Sequence, residues 1–216
     1  GIKLSNDSLS VSKRMVQVKA NMRAKPHKGQ IPRVMIPGYK FWGDAQGPNV
    51  RSFIYHYVYV FGWLCDATNW GFVTFAKSRS EAHQSFRMLK AKSPHAMKMV
   101  ITDGAKEYFS LDLQSEVVKD GATWVESPAY LAKRNPRIEH WWYRTDLLTR
   151  YMLSRCGGWR IFWAFAKAFA VLIVNVKVYG PTNAIPYESF WKQKFDYTKL
   201  CVFGCTVVIR YMTNQG

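Results

Sequence analysis

The order of periodic segments between residues 39 and 178 leaves few folds open. Tyr39–Asp44 is a short aromatic run ending in Gly-Asp, and Ser52–Leu64 is rich in β-branched and aromatic residues. Gly71–Ala76 follows the turn-like Asp66-Ala67-Thr68-Asn69. Three such runs on short connections predict an antiparallel meander. Ser78 and Ser80 offer N-caps for a helix over Glu81–Lys92, with Ala82, Phe86 and Leu89 on one side. A strand over Met97–Ile101, a helix from about Phe109 to Lys119 and a strand at Thr123–Val125 come next. After a loop with Pro128 and Pro136, Ile138–Leu153 reads as a long amphipathic helix closed by Gly157-Gly158. Trp159–Val178 is apolar nearly all round and is expected to be a buried helix. The order β-β-β-α-β-α-β-α-α is that of an α/β fold, a mixed five-stranded sheet flanked by helices. Residues 1–38 are expected to be a basic linker or the remnant of an upstream module, 39–180 the core, and 181–216 a C-terminal extension.

Charge narrows the partners. Lys and Arg number 31 against 14 Asp and Glu, a formal excess of 17, which for one domain points to a polyanion such as DNA or RNA. The cations are dense from Lys13 to Lys40 and recur at Arg87, Lys90, Lys92 and Lys98. A third group, Lys133, Arg134, Arg137, Arg144 and Arg150, lies beside Trp141, Trp142 and Tyr143. Cations set among stacking residues suit a nucleic-acid channel, although any single pair is equally a core ring beside a solvated charge. The most membrane-like stretch, Ile161 to Val178, is interrupted or flanked by Arg160, Lys167, Asn175 and Lys177, so no membrane partner is expected. The opening residues are polar, and no signal peptide is expected. Cys65, Cys156, Cys201 and Cys205 match no zinc ribbon or disulfide scaffold. They are expected to be reduced, mostly buried thiols of a cytosolic or nuclear protein.

Cleaving and joining phosphodiesters with two divalent metals needs several hard oxygen ligands around one point, held on rigid elements. Asp44 at the end of the first strand, Asp103 at the end of the fourth and Glu139 in the first turn of the long helix fit that need. Each also has an ordinary structural role open to it. Asp44 and Asp103 could be turn residues, and Glu139 could simply favour a helix N-terminus. If they form a site, the three carboxylates should converge within about 4–8 Å, the scale set by a metal pair roughly 3.5–4 Å apart.

Around these residues the sequence resembles the integrase core of copia-type retrotransposons. Gly43-Asp44-Ala45-Gln46-Gly47-Pro48 matches the family's first Asp ahead of a Gly-Pro segment. Tyr57–Leu64, Asp66 and Trp70–Phe75 look like its two aromatic strands and the acidic turn between them. Thr102-Asp103-Gly104-Ala105-Lys106-Glu107-Tyr108 resembles the motif of its second Asp, and 35 residues separate Asp103 from Glu139, as the family spacing requires. Arg144-Thr145 and Leu147-Leu148 follow, then FWAFAKAFAVLIVN and the closing IPYESFWKQKFDYTKLCVFGCTVVI. The resemblance covers roughly residues 40–210. It implies a ribonuclease H-like fold, 3′-end processing and DNA strand transfer, and two Mg²⁺ or Mn²⁺ ions held by Asp44, Asp103 and Glu139. It also implies work on DNA as a homo-oligomer, in the nucleus after a cytoplasmic phase. Lys133, Arg134, Arg137 and Arg144 are the expected phosphate contacts, on charge and proximity to Glu139.

The chain departs from the family in places. Asn-Gly-Gly after the second Asp is Gly104-Ala105-Lys106, the residues around the Glu are Pro136-Arg137-Ile138 and His140, and Tyr143 replaces an Asn. Residues 1–40 hold no cysteine, so the upstream zinc module of the family has no ligands there. Two other readings follow. One is a catalytically decayed or domesticated nucleic-acid-binding protein of the same fold, and the other is a ribonuclease H-type nuclease that cuts without joining.

Overall fold

The computed structural model describes residues 33–102, 111–119, 121–126, 136–180 and 182–205, and residues 33–216 form a compact unit of their own. Five strands make one sheet: β1 (Lys40–Gln46), β2 (Tyr59–Cys65), β3 (Gly71–Ala76), β4 (Met99–Thr102) and β5 (Thr123–Glu126). Their order is β3-β2-β1-β4-β5. The first three pair antiparallel, as the meander predicts, and β4 and β5 add in parallel to β1. The helices are α1 (Ala82–Lys92), α2 (Leu111–Lys119), α3 (Pro136–Arg155), α4 (Trp163–Val176) and the short α5 (Pro186–Trp191). The mixed five-stranded sheet with flanking helices is the architecture read from the sequence.

Strand alternation sorts the side chains into two cores. Phe41, Phe61, Trp63 and Val100 pack with Phe86 and Leu89 of α1, Leu113 and Val117 of α2, and Phe190 of α5. On the opposite face Trp42, Val60, Leu64 and Ile101 pack with Ile138, Trp141 and Trp142 of α3 and with Trp163, Val171 and Val174 of α4. Polar links tie both layers down. Ser85 of α1 accepts from Trp63 Nε1 at 2.8 Å. Asn175 of α4 bonds both the N–H and the C=O of Gly71, at 2.8 and 2.7 Å. Ser78 forms the expected cap, a capping box with Glu81, but it opens a single 3-10 turn that leads into α1.

Three expectations change. The strand expected over Ser52–Leu64 begins only at Tyr59, because β1 ends opposite Val60 and β3 opposite Tyr59, leaving earlier residues no strand to pair with. Residues 52–57 instead close a loop. Ser52 N–H donates to the Tyr57 carbonyl at 2.9 Å, the Ser52 hydroxyl accepts from Tyr57 N–H at 2.9 Å, and Ile54 and His56 take positive φ. The helix expected from Trp159 starts at Trp163, after a 3-10 turn over Arg160–Phe162, and is buried as expected. Among the four thiols only Cys65 is buried; Cys156 is half-buried, Cys201 and Cys205 are exposed, and all are free. Among the described residues no helix is long and apolar enough to cross a membrane.

Candidate functional site

Asp44 is an even-numbered residue of β1, so it shares the α3 side of the sheet with Trp42. Its Oδ2 accepts from Trp142 Nε1 at 2.9 Å and its Oδ1 from the N–H of Ala45 at 2.8 Å. Gly43, one residue earlier, pairs with Thr102, the last residue of β4. Thr102 is fully buried, and its hydroxyl accepts from Trp124 Nε1 at 3.0 Å, so the end of β4 is pinned beside Asp44. Asp103 itself lies outside the described residues.

Glu139 stands in the first turn of α3 and is exposed. Helical spacing puts it in one stripe with Trp142 and Asp146, three and seven residues on. Trp142 bonds Asp44, and Asp146 Oδ2 accepts from Gln46 Nε2 at 3.0 Å. The helix therefore runs alongside β1 in the same direction, with Glu139 at the head of the stripe that faces it. Glu139 is about 4.5 Å of rise before Trp142.

Of the expected phosphate contacts, Lys133 and Arg134 lie outside the described residues. Arg137 turns back into the protein, where its guanidinium bonds both the carboxylate and the backbone carbonyl of Asp66. Arg144 places its guanidinium over the ring of Tyr179, 5.1 Å from the centroid.

Sequence reasoning missed the polar cluster beyond Trp142. Lys167, in the middle of apolar α4, is almost fully buried, pairs with Asp146 and donates to Gln46 Oε1 at 3.3 Å. Its ammonium also lies 4.7 Å from the centre of the Trp142 ring. Lys167, Asp146 and Gln46 line an open cleft of about 570 Å³ together with Tyr143, Thr149, Arg150 and Trp163. A lone cation inside an apolar helix was the available signal, since burial requires a partner.

Burial, the largest influence, holds the pKa of Lys167 below 10.5 against the bond and charge of Asp146, which raise it, and nearby Arg150 adds to the lowering. With the folded pKa below the unfolded one, the unfolded chain binds more protons between the two values. Stability should therefore rise with pH as it approaches 10.5. Urea unfolding across that range should show this rise in the wild type and a flatter profile in Lys167→Met. Equal slopes would refute the burial argument.

The donor set suits a hard divalent cation. Asp44 presents carboxylate oxygens, the hard donors such a cation takes, and they accept from Trp142 Nε1 and the Ala45 N–H. Among the described residues no three His, Cys, Asp or Glu side chains come together as a metal-binding group. Asp44 and Glu139 alone are two of the three proposed ligands.

The mixed five-stranded sheet with flanking helices matches the ribonuclease H-like fold of integrase catalytic cores. The chain is similar to the HTLV-2 integrase catalytic core domain in complex with magnesium in its trimeric form. The TM-score is 0.59 at 16% identity, over 73% of this chain and 99% of that one. The dimeric form gives 0.57 at 14%, over 72% and 98%. The simian T-cell lymphotropic virus intasome in complex with PP2A regulatory subunit B56 gamma gives 0.67 at 14%, over 97% and 77%. At these identities the likeness is one of fold. No protein-family model matches the chain, and no curated protein matches its sequence.

Proposed function

We propose that the chain is the catalytic core of a copia-type retrotransposon integrase, a metal-dependent polynucleotidyl transferase that processes and joins DNA ends. The observation that carries this reading is Asp44 on the α3 face of β1, one residue beyond the pair Gly43–Thr102 and bonded to the helix whose first turn carries Glu139. Asp44, Asp103 and Glu139 are assigned as the ligands. Two Mg²⁺ or Mn²⁺ ions, when bound, would supply activation of the attacking oxygen and stabilisation of the leaving one. The chain's own contribution is orientation: Trp142 and the Ala45 N–H fix the Asp44 carboxylate from two sides. Lys133, Arg134 and Arg144 remain the proposed phosphate contacts, whereas Arg137 acts chiefly as a tether to Asp66.

Residues 39–180 are assigned to the core, 181–216 to an extension whose Phe190 stacks on Trp70 at 4.0 Å, and 1–38 to a basic linker or the remnant of an upstream module. The magnesium, dimer, trimer and intasome named for the similar structures support divalent metal, DNA and a homo-oligomer as partners here. Nuclear action after a cytoplasmic phase follows from the same reading.

The test is strand transfer of a labelled DNA end with Mg²⁺ or Mn²⁺, run beside Asp103→Asn. Joined products that disappear in the variant are expected. Retained DNA binding without any product would overturn the catalytic assignment and leave a decayed binding module of the same fold. Cut but unjoined DNA would mark a nuclease.

A further inference from the structure

The end of α3 away from Glu139 carries an exposed aromatic surface that the proposed chemistry does not use. Glu139 and Arg155 are 16 residues apart on one helix, which separates the two regions by about 24 Å. Two segments build the surface: the loop before β2 and the turn between α3 and α4. The Phe53 N–H donates to the Ile161 carbonyl at 2.8 Å, and Trp163 Nε1 donates to the Val50 carbonyl at 2.7 Å. The Phe162 ring lies at the centre, 5.1 Å from Phe53, 6.1 Å from Trp159 and 6.4 Å from Phe165. Trp159 is 62% exposed and Phe53 46%, values far above those of core rings.

The loop is held rather than loose. It is closed by the two bonds between Ser52 and Tyr57, and it keeps Ile54, a β-branched residue, at φ +68°. That conformation is costly for such a side chain and persists only where the surroundings impose it. The result is a fixed display of apolar side chains to water.

Charge identifies the occupant. The sequence has no Asp or Glu between Ala45 and Cys65, nor between Leu147 and Tyr187. Arg51, Arg155 and Arg160 are exposed in these stretches. Rings carried on stretches that hold exposed arginines and no carboxylate match a strand whose unpaired bases stack while its phosphates meet guanidinium groups. We infer that this surface binds single-stranded nucleic acid, with bases stacked on Trp159 and Phe53 and phosphates held by Arg51 and Arg160. The inference stands on charge and exposed rings and does not require the catalytic reading.

The experiment is fluorescence anisotropy of a labelled 12-nucleotide oligothymidylate against an abasic strand of equal length, using the full chain. Trp159→Ala should weaken oligothymidylate binding on the order of tenfold, with Trp159→Tyr restoring most of it and the abasic strand unaffected. Arg160→Gln should lower the slope of log affinity against log salt by about 0.7 for both strands. Circular dichroism confirms folding of each variant, and Phe53→Ala provides an independent removal of a ring. If neither ring removal shifts oligothymidylate affinity by more than twofold, the inference is overturned. If the ring variants alter only sedimentation, the surface joins two copies of the chain and the inference is equally overturned.

Discussion

Asp66→Ala is expected to cost about 3–5 kcal/mol, the usual result of removing one partner from a buried charge pair. The carboxylate is 1% exposed and sits among four donors. Its Oδ1 accepts from Trp42 Nε1 at 2.9 Å and from Arg137, and its Oδ2 accepts from the Val34 N–H at 2.8 Å and faces Lys40 Nζ at 3.4 Å. Lys40 is itself 2% exposed, so the variant strands an ammonium in the interior. Alanine also leaves the Trp42 and Val34 N–H groups without this acceptor. With total stabilities of about 5–15 kcal/mol, the loss is a large share of the whole. Lys40→Met added to Asp66→Ala should recover part of it, because the stranded charge is gone. Urea midpoints measure both effects, and a single variant within about 0.5 kcal/mol of wild type would refute the assignment. Arg137 lies two residues before Glu139, so the same variant should also loosen the helix start that carries the proposed ligand.

Gly62→Ala should destabilise by about 1–3 kcal/mol and disturb Asp44 as well. A Cβ at this position would lie 2.6 Å from Trp142 Cη2 and 2.8 Å from Trp141 Cζ3, closer than carbons pack. Both rings are buried between the sheet and α3, and neither can swing into solvent. Displacing Trp142 lengthens its bond to Asp44, now 2.9 Å. Trp142→Phe vacates part of the crowded volume but gives up that bond. A double-mutant cycle between the two positions should therefore show coupling of about 0.5–3 kcal/mol, with the pair less damaging than the sum. Additive losses would mean the rings relax freely and the contact is unimportant.

These two positions mark what a linear reading can and cannot reach. The meander, the helices and the strand bearing Asp44 were legible because two- and 3.6-residue periodicities are local properties. The rings and β-branched residues of Ser52–Tyr57 satisfy strand propensity, while the missing pairing partners are a tertiary fact. Asp66 looked like a turn acid and proved to be a buried hub, since its partners Val34, Lys40 and Arg137 come from separate stretches of the chain. In the sequence Lys167 is only an interruption of an apolar run, because Asp146, its partner, lies on another helix. Of the proposed metal ligands, Asp44 and Glu139 are on the elements expected for them, and Asp103 lies outside the described residues.

The two indoles of α3 enter places where the sheet has no side chains. Trp142 and Trp141 crowd Gly62, and Trp141 comes within 2.5 Å of a Cβ placed at Gly71. The helix is thereby keyed to the sheet like a pawl in a notch. It can neither slide along β1 nor roll without first lifting both rings out, so no small motion separates the helix from the strand. Amide hydrogens in the middle of α3 should exchange with solvent only when the whole domain opens, at one common rate with those of β2.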